Sequence, residues 1–333
     1  MVVARAPGRV NLIGDHTDYT GGLVLPMAID RYTTVSGQAL DGAIRLTSEQ
    51  MHEPLVLNLP VADAANVMPA WGRYVAGVAN QMGCAVGIEG SVTTTIPIGA
   101  GLSSSAALEV ATALALGSTL SVTELAQLCR RAEHVATGVP CGIMDQLTSA
   151  AGVDGHALLI DCHTLVIQPI ALPNNMQVVV QWVAARTLVG SAYADRVAQC
   201  AQAEKEIGPL RLATVADTAQ IADAMVRARA LHVVSENERV REAAKCLQAG
   251  DVQGFGLPMN ESHESLRSNF AVSTEQMDDA VKQAQASPGV YGARMTGGGF
   301  GGCMVMVADS HARLPENDNT WRVRAVGGAA IIS

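Results

Sequence analysis

The chain has 333 residues, 49% hydrophobic and 16% charged, with a formal net charge of −9. That length can bury the core of one large domain or two closely packed ones, and the hydrophobic share excludes a disordered chain. The acidic balance excludes broad nucleic-acid binding, which needs a basic face to displace counterions from phosphates. It leaves a nucleotide substrate open. No apolar run reaches the roughly 18 residues needed to span a bilayer, since the richest helical stretch is interrupted by Glu109. We expect no membrane partner. Arg5, Arg9 and Asp15 stand where a secretory leader would carry an apolar segment, and seven cysteines without a C-x-x-C pair fit reduced thiols. A cytoplasmic monomer is therefore the expectation.

Only three lysines occur, Lys205, Lys245 and Lys282, all in polar, helical-looking stretches of the second half. P-loop NTPases and protein kinases place a lysine on the phosphates, so neither class fits. An ATP site in this chain must use backbone amides, a metal ion and arginine.

In chain order, Val2–Arg5, Leu23–Pro26, Thr33–Gly37 and Ile44–Thr47 read as strands among turn residues. Between the first two lies a run from Gly8 to Gly22 that holds Arg9, Asp15, His16 and Asp18 among glycines. These groups hold a polyol by hydrogen bonds more readily than they fill a core; the alternative is a plain surface turn. A helix is predicted from Pro69 to about Met82, carrying Trp71 and Tyr74 one turn apart, then a strand from Gly90 to Ile96.

Gly99-Ala100-Gly101-Leu102-Ser103-Ser104-Ser105-Ala106 follows, where strand gives way to an Ala-rich helix predicted from Ser104 to Ala115. Free amides at a helix start, reached through glycines, are phosphate-binding chemistry. An ordinary turn with capping serines is the structural alternative. Residues 122–136 form a helix whose stripe is Val122, Leu125, Cys129, Ala132 and Ala136, with Glu133 on the stripe's edge. A carboxylate there needs a partner, either a cation or a nearby arginine. Asp145 then stands alone in an apolar or small-residue context after Pro140 and Gly142.

The second half opens with strand-like Ala157–Ile160 and Val178–Val180, turns helical from Ala192 to about Gln285, and returns to strands at Gly289–Arg294 and Met304–Val307. The last pair flanks a third glycine run, Met295 to Cys303. This order predicts an α+β protein of two lobes, 1–165 and 166–333, the first strand-rich and the second helix-rich with a mixed sheet.

The run Gly8–Gly22, the run Pro97–Ala107 and the run Met295–Cys303, in that order, resemble the three signature motifs of galactokinases within the GHMP small-molecule kinase family. The resemblance covers Ala4 to about Val307 and implies a two-lobed GHMP kinase-like fold and ATP-dependent, magnesium-requiring phosphorylation of the C1 hydroxyl of D-galactose, giving galactose 1-phosphate. It implies Asp145 as the catalytic carboxylate with Arg9 beside it, and Asp15, His16, Asp18, the Gly142 amide and Tyr193 around the sugar. It places the nucleotide phosphates on Gly99 to Ala106, the base near Trp71 and Tyr74, and Mg2+ on Ser105, or Ser104 in its place, with Glu133.

A guanidinium beside Asp145 stabilises its ionised form and weakens it as a proton acceptor, so Asp145 acts either as general base, the favoured role, or as an orienting group. A GHMP kinase for N-acetylgalactosamine or another hexose is the alternative within the enzymes. Outside them it is an inactive sugar sensor, although Ser103 to Ser105, Glu133 and Asp145 are all present. The chain departs from the galactokinase pattern in four places. Asp15 replaces the usual Glu and needs a water or a shifted backbone to reach its hydroxyl. The usual helix before the first strand has no counterpart, which would expose sheet edge or reflect a shorter lineage. Trp182, in the segment to Arg186, is expected to reshape the rim near Tyr193. Beyond Asp309 no motif is visible.

Overall fold

The computed structural model describes residues 1–185 and 192–333. Arg186 lies outside them. The first lobe is built from β1 (Val2–Asn11), β2 (Leu23–Val24), β3 (Pro26–Asp41), β4 (Ala43–Ser48), β5 (Met51–Asn58), α1 (Gly72–Met82), β6 (Val86–Thr94), α2 (Ser104–Ala115), α3 (Val122–Thr137), α4 (Met144–Ala151), β7 (His156–Asp161) and β8 (Ile167–Ala171). The second comprises β9 (Met176–Ala184), α5 (Tyr193–Ile207), α6 (Val215–Thr218), α7 (Ala224–Gln248), α8 (Val252–Ser265), α9 (Glu275–Gln285), β10 (Val290–Met295), β11 (Gly302–Asp309) and β12 (Thr320–Val323). A last strand, β13 (Ala330–Ile331), crosses back.

The main sheet of the first lobe runs β13-β1-β3-β6-β4-β5, with β2-β7-β8 as a small second sheet, while the second lobe holds β10-β11-β9-β12. The division at residue 165 therefore does not hold to the chain's end. The segment beyond Asp309 supplies β12 to the second sheet, and β13 pairs Ala4 and Arg5 at the edge of β1. The edge expected to lie bare is thus covered there.

α2 shows why its Ala-rich run folds as it does. Residues Ala106 to Ala113 are all buried, so the helix is enclosed on every side, apolar but for Glu109 and Thr112, and packs between the sheet and α3. α3 begins with a reciprocal capping box, Ser121 accepting from the Glu124 amide and Glu124 from that of Ser121. Of its predicted stripe, Leu125, Cys129, Ala132 and Ala136 are buried, but Val122 in the first turn is exposed. α1 starts at Gly72, three residues after the expected Pro69, because a tight turn at Pro69 to Gly72 precedes it. A continuous apolar core joins Leu12, Ile29 and Val110 to Val180, Val240 and Phe255 across both lobes.

Ser121→Ala should cost about 1 kcal/mol, the usual loss of an N-cap, seen as a lower urea midpoint. Because the cap lies on the exposed end of α3, turnover should not change.

Candidate active site

One cavity of about 390 Å3 is lined by all three glycine runs. The opening turn brings Arg9, Asp15, His16 and Asp18, the loop before α2 brings Gly99, Gly101 and Ser103 to Ser105, and the loop after β10 brings Gly297 and Gly298. Glu133, Gly142, Asp145, Tyr193, Trp71 and Tyr74 also line it. None of the three lysines does, and all three are exposed.

Arg9, 3% exposed on β1, holds Asp145 in a two-pronged pair, Nε to Oδ1 and Nη2 to Oδ2, both at 2.8 Å. Its Nη1 donates to the Gly101 carbonyl at 2.7 Å, so one planar fork ties the carboxylate to the phosphate loop. Ser103 sits at the N-cap of α2 with left-handed φ of 60°, and its hydroxyl caps nothing. It donates instead to Asp145 Oδ2 at 2.6 Å. Asp145 itself lies in the first turn of α4, where the helix dipole favours an anion.

The Ser105 hydroxyl donates to Glu133 Oε1 at 2.9 Å. Glu133 Oε2 accepts from Gln146 Nε2, whose nitrogen also donates to Glu109 Oε2 at 3.0 Å. Burial first, and then the Asp145 charge, pushes the Glu133 carboxyl up from the usual carboxylate range. Burial and the Glu133 charge push Glu109 well above it. Among the described residues, Arg9 is the cation that pairs this group, and it is spent on Asp145. The oxygen donors of Ser105 and Glu133 in an anion-rich pocket fit Mg2+, which takes hard oxygen ligands and fills its shell from phosphates and water. No cluster of three or more His, Cys, Asp or Glu suited to a metal occurs among the described residues.

In the opening turn, Asp15 is turned largely away from a free-ligand role. Its Oδ1 accepts from the Gly297 amide at 3.0 Å, and Arg294 Nη2 lies 2.7 Å from Oδ2, off the line of a directed hydrogen bond. Burial nonetheless outweighs Arg294 and raises the Asp15 carboxyl. His16 adopts left-handed φ of 67°, a conformation that costs roughly 1–3 kcal/mol and concentrates at functional sites. Its Nδ1 meets the Tyr19 hydroxyl at 3.0 Å, while its buried Nε2 has no partner among the described residues. Burial pushes the imidazole well below its usual value, so it is neutral. Phe270 and Tyr193 pack against the ring at 4.5 and 5.6 Å. Asp18 closes on Gly142 so tightly that a Cβ there would fall 1.8 Å from Oδ2. Burial and the Asp145 charge raise the Asp18 carboxyl to about 7.

Trp71 and Tyr74 line the other end of the cavity with Ile98 and Leu108, and the Trp71 ring nitrogen donates to the Glu53 carbonyl at 3.2 Å. Three phosphate-loop positions differ from the rest. Ala100, Leu102 and Ala106 bury their side chains in the core, leaving only backbone for a ligand. Trp182 does not reach the Tyr193 rim; it lines a separate groove behind the loop with Pro97, Gly99 and Trp321.

Sequence reasoning missed Arg294, Glu236, Gln146 and the use of Glu109. Arg294, fully buried, bridges Asp15 and Glu236, and Glu236 accepts from the Gly14 amide and the Ser262 hydroxyl. A lone arginine in an apolar strand and a lone glutamate in an apolar helix were the available signals. Glu236 gave none, since its run Ser235-Glu236-Asn237-Glu238-Arg239 reads as a solvated face.

The family-model descriptions that match are the galactokinase galactose-binding signature over residues 1–39, the GHMP kinases N terminal domain over 71–153 and the GHMP kinases C terminal over 243–316. The fold and the phosphate-loop cavity thus define a GHMP-type small-molecule kinase. A Bos taurus galactokinase is 42% identical over 327 residues, 92% of this chain and 83% of the relative. A Roseiflexus sp. galactokinase is also 42% identical, over 328 residues with the same coverage of each chain. The crystal structure of Lactococcus lactis galactokinase complexed with galactose aligns with a TM-score of 0.89 at 29% identity, over 99% of this chain and 94% of that one. The chain belongs to the galactokinase family and is a sugar kinase. No helix among the described residues is long and apolar enough to cross a membrane.

Gly142→Ala should drive Asp18 from its seat and raise the KM for galactose about tenfold, the loss of one hydrogen bond to a charged acceptor at ~1.5 kcal/mol. Steady-state kinetics on the variant, with ATP saturating, checks this.

Proposed function

We propose that the cavity aligns ATP and D-galactose for direct transfer of the γ-phosphoryl group to the C1 hydroxyl, with the roles set by Asp145 and its Arg9 tether. The observation that carries this reading is the shared wall: the carboxylate that would face the sugar is fixed to the loop that would face the phosphates. Phosphoryl transfer asks mainly for in-line placement, and a rigid link between acceptor site and donor site supplies it.

Asp145 accepts the hydrogen of the sugar's C1 hydroxyl and takes the proton as O1 bonds to phosphorus and the bond from phosphorus to the bridging oxygen of ADP breaks. Its oxygens already receive bonds from Arg9 and Ser103, which fix the carboxylate toward the acceptor hydroxyl. Ser105 and Glu133 would hold Mg2+, which when bound would offset charge on the phosphates. Amides of the loop from Gly99 to Ser105 bind the phosphates, and Trp71 and Tyr74 flank the adenine. His16 Nε2 and Asp18 take sugar hydroxyls, Tyr193 closes the pocket, and Asp15 acts through the Gly297 amide it holds. One chain supplies every one of these groups, and we infer that the enzyme acts as a monomer. Its seven cysteines suit a reducing cytoplasm.

Asp145→Asn should lower kcat by about 10²- to 10⁴-fold, the range of general acid–base contributions, with ADP affinity retained. ADP release across a panel of sugars tests the substrate: turnover of N-acetylgalactosamine equal to or better than galactose overturns the galactose assignment.

Asp18 gives a pH dependence with a definite sign. Its carboxyl is protonated below about 7 in the free enzyme and ionised above, and only the ionised form accepts bonds from hydroxyls with both oxygens. The kcat/KM for galactose should therefore rise as pH climbs through about 7, and Asp18→Asn should flatten that limb of the profile.

A further inference from the structure

Glu109 is the one feature of the phosphate-loop helix that the reaction leaves unused. It sits in the middle of α2, fully buried in a run that is otherwise apolar but for Thr112. A carboxyl in that setting costs more than a leucine would, and such a cost persists where the group does something. We propose that Glu109, acting through Gln146, is a positioning residue that sets the orientation of Glu133 for a divalent cation. This rests on the reading of Ser105 and Glu133 as the cation's ligands.

The argument is one of hydrogen counting. Gln146, itself fully buried, has two amide hydrogens, and both go from Nε2 to carboxylates, one on Glu109 and one on Glu133. A carboxamide can turn half a revolution and exchange its oxygen for its nitrogen at little steric cost. Turned that way, Gln146 would aim an oxygen at Glu133 Oε2 and repel it. The second acceptor on Glu109 holds the nitrogen end toward Glu133. With Oε2 engaged by Gln146 and Cys141, Oε1 remains for Ser105 and the cavity. A helix-packing role alone would need no acceptor at position 109, and an apolar residue of similar volume would serve.

The test uses the metal-linked gain in ADP affinity, measured by titration calorimetry with and without Mg2+, on Glu109→Met, Glu109→Gln and Glu133→Gln. Residues that hydrogen-bond a metal ligand typically govern 10- to 100-fold of metal affinity. Glu109→Met should lose about tenfold or more of the Mg2+-dependent gain, while metal-free binding of ADP and of galactose stays as in the parent. Glu109→Gln, whose carboxamide oxygen still accepts from Gln146, should restore most of the gain. An undiminished gain in the Met variant, equal losses in Met and Gln variants, or an equal fall in metal-free ADP affinity overturns the proposal. Should the Met variant unfold, Gln146→Leu takes its place with the same criteria for the Mg2+-dependent and metal-free affinities. If Glu133→Gln keeps the full gain, the cation site itself is misassigned, an outcome distinct from failure at Glu109 alone.

Discussion

The Arg9 guanidinium is the constraint around which the site is organised. It reaches from β1 to α4 and to the phosphate loop at once, with Nε and Nη2 on Asp145 and Nη1 on the Gly101 carbonyl. Because the fork is planar and buried, the three contacts cannot be satisfied in more than one arrangement of those elements. Loss of Asp145 would leave the Arg9 charge buried without its partner, at roughly 3–5 kcal/mol. The backbone helps: Gly8, whose Cβ would lie 2.6 Å from the Leu102 carbonyl, lets β1 run against the loop, and the Arg9 amide donates to that carbonyl. Stability and alignment for transfer are here the same set of bonds.

A second arginine performs the matching task on the far wall. Arg294 lies between Asp15 and Glu236 and donates to the Leu12 carbonyl, while Thr296 exchanges bonds with both the amide and the carbonyl of Asn11. The third glycine run is thereby stitched to the end of β1, and Gly297 can hold Asp15. The shorter side chain at position 15 makes sense in this setting. Asp15 is a strut between the first and third glycine runs, while His16 and Asp18 beside it keep an open Nε2 and a poorly stabilised carboxylate.

Much of this was legible from residues alone. The three glycine runs mark three parts of the cavity lining, and α2 and α3 follow from an Ala-rich run and an apolar stripe. What stayed hidden has physical reasons. β5 carries Glu53 and Pro54 and reads as a loop, yet proline is tolerated on an edge strand, and β5 is the edge of its sheet. α4 is too short for periodicity to announce, so Asp145 appeared only as an isolated acid. β13 has two residues and depends on partners at the other end of the chain, Ala4 pairing with Ile331 and Arg5 with Ala330. Pairings of that range leave no local trace. Ser103 looked like a cap because its position is that of a cap; only the fold brings Asp145 within reach.

The distribution of charge explains why such a site needs its ligands to be complete. Asp18, Glu133 and Asp145 line one cavity with Arg9 paired to Asp145, Glu109 lies behind them across Gln146, and burial raises the carboxyls of Asp18, Glu109 and Glu133. A nucleotide alone would add anionic phosphates to an already acidic pocket, whereas a nucleotide arriving with a divalent cation brings its own compensation. No lysine lines the cavity among the described residues to supply that compensation from the protein. Neutral His16, packed against Tyr193 and Phe270, adds no charge of its own beside Asp15 and Asp18.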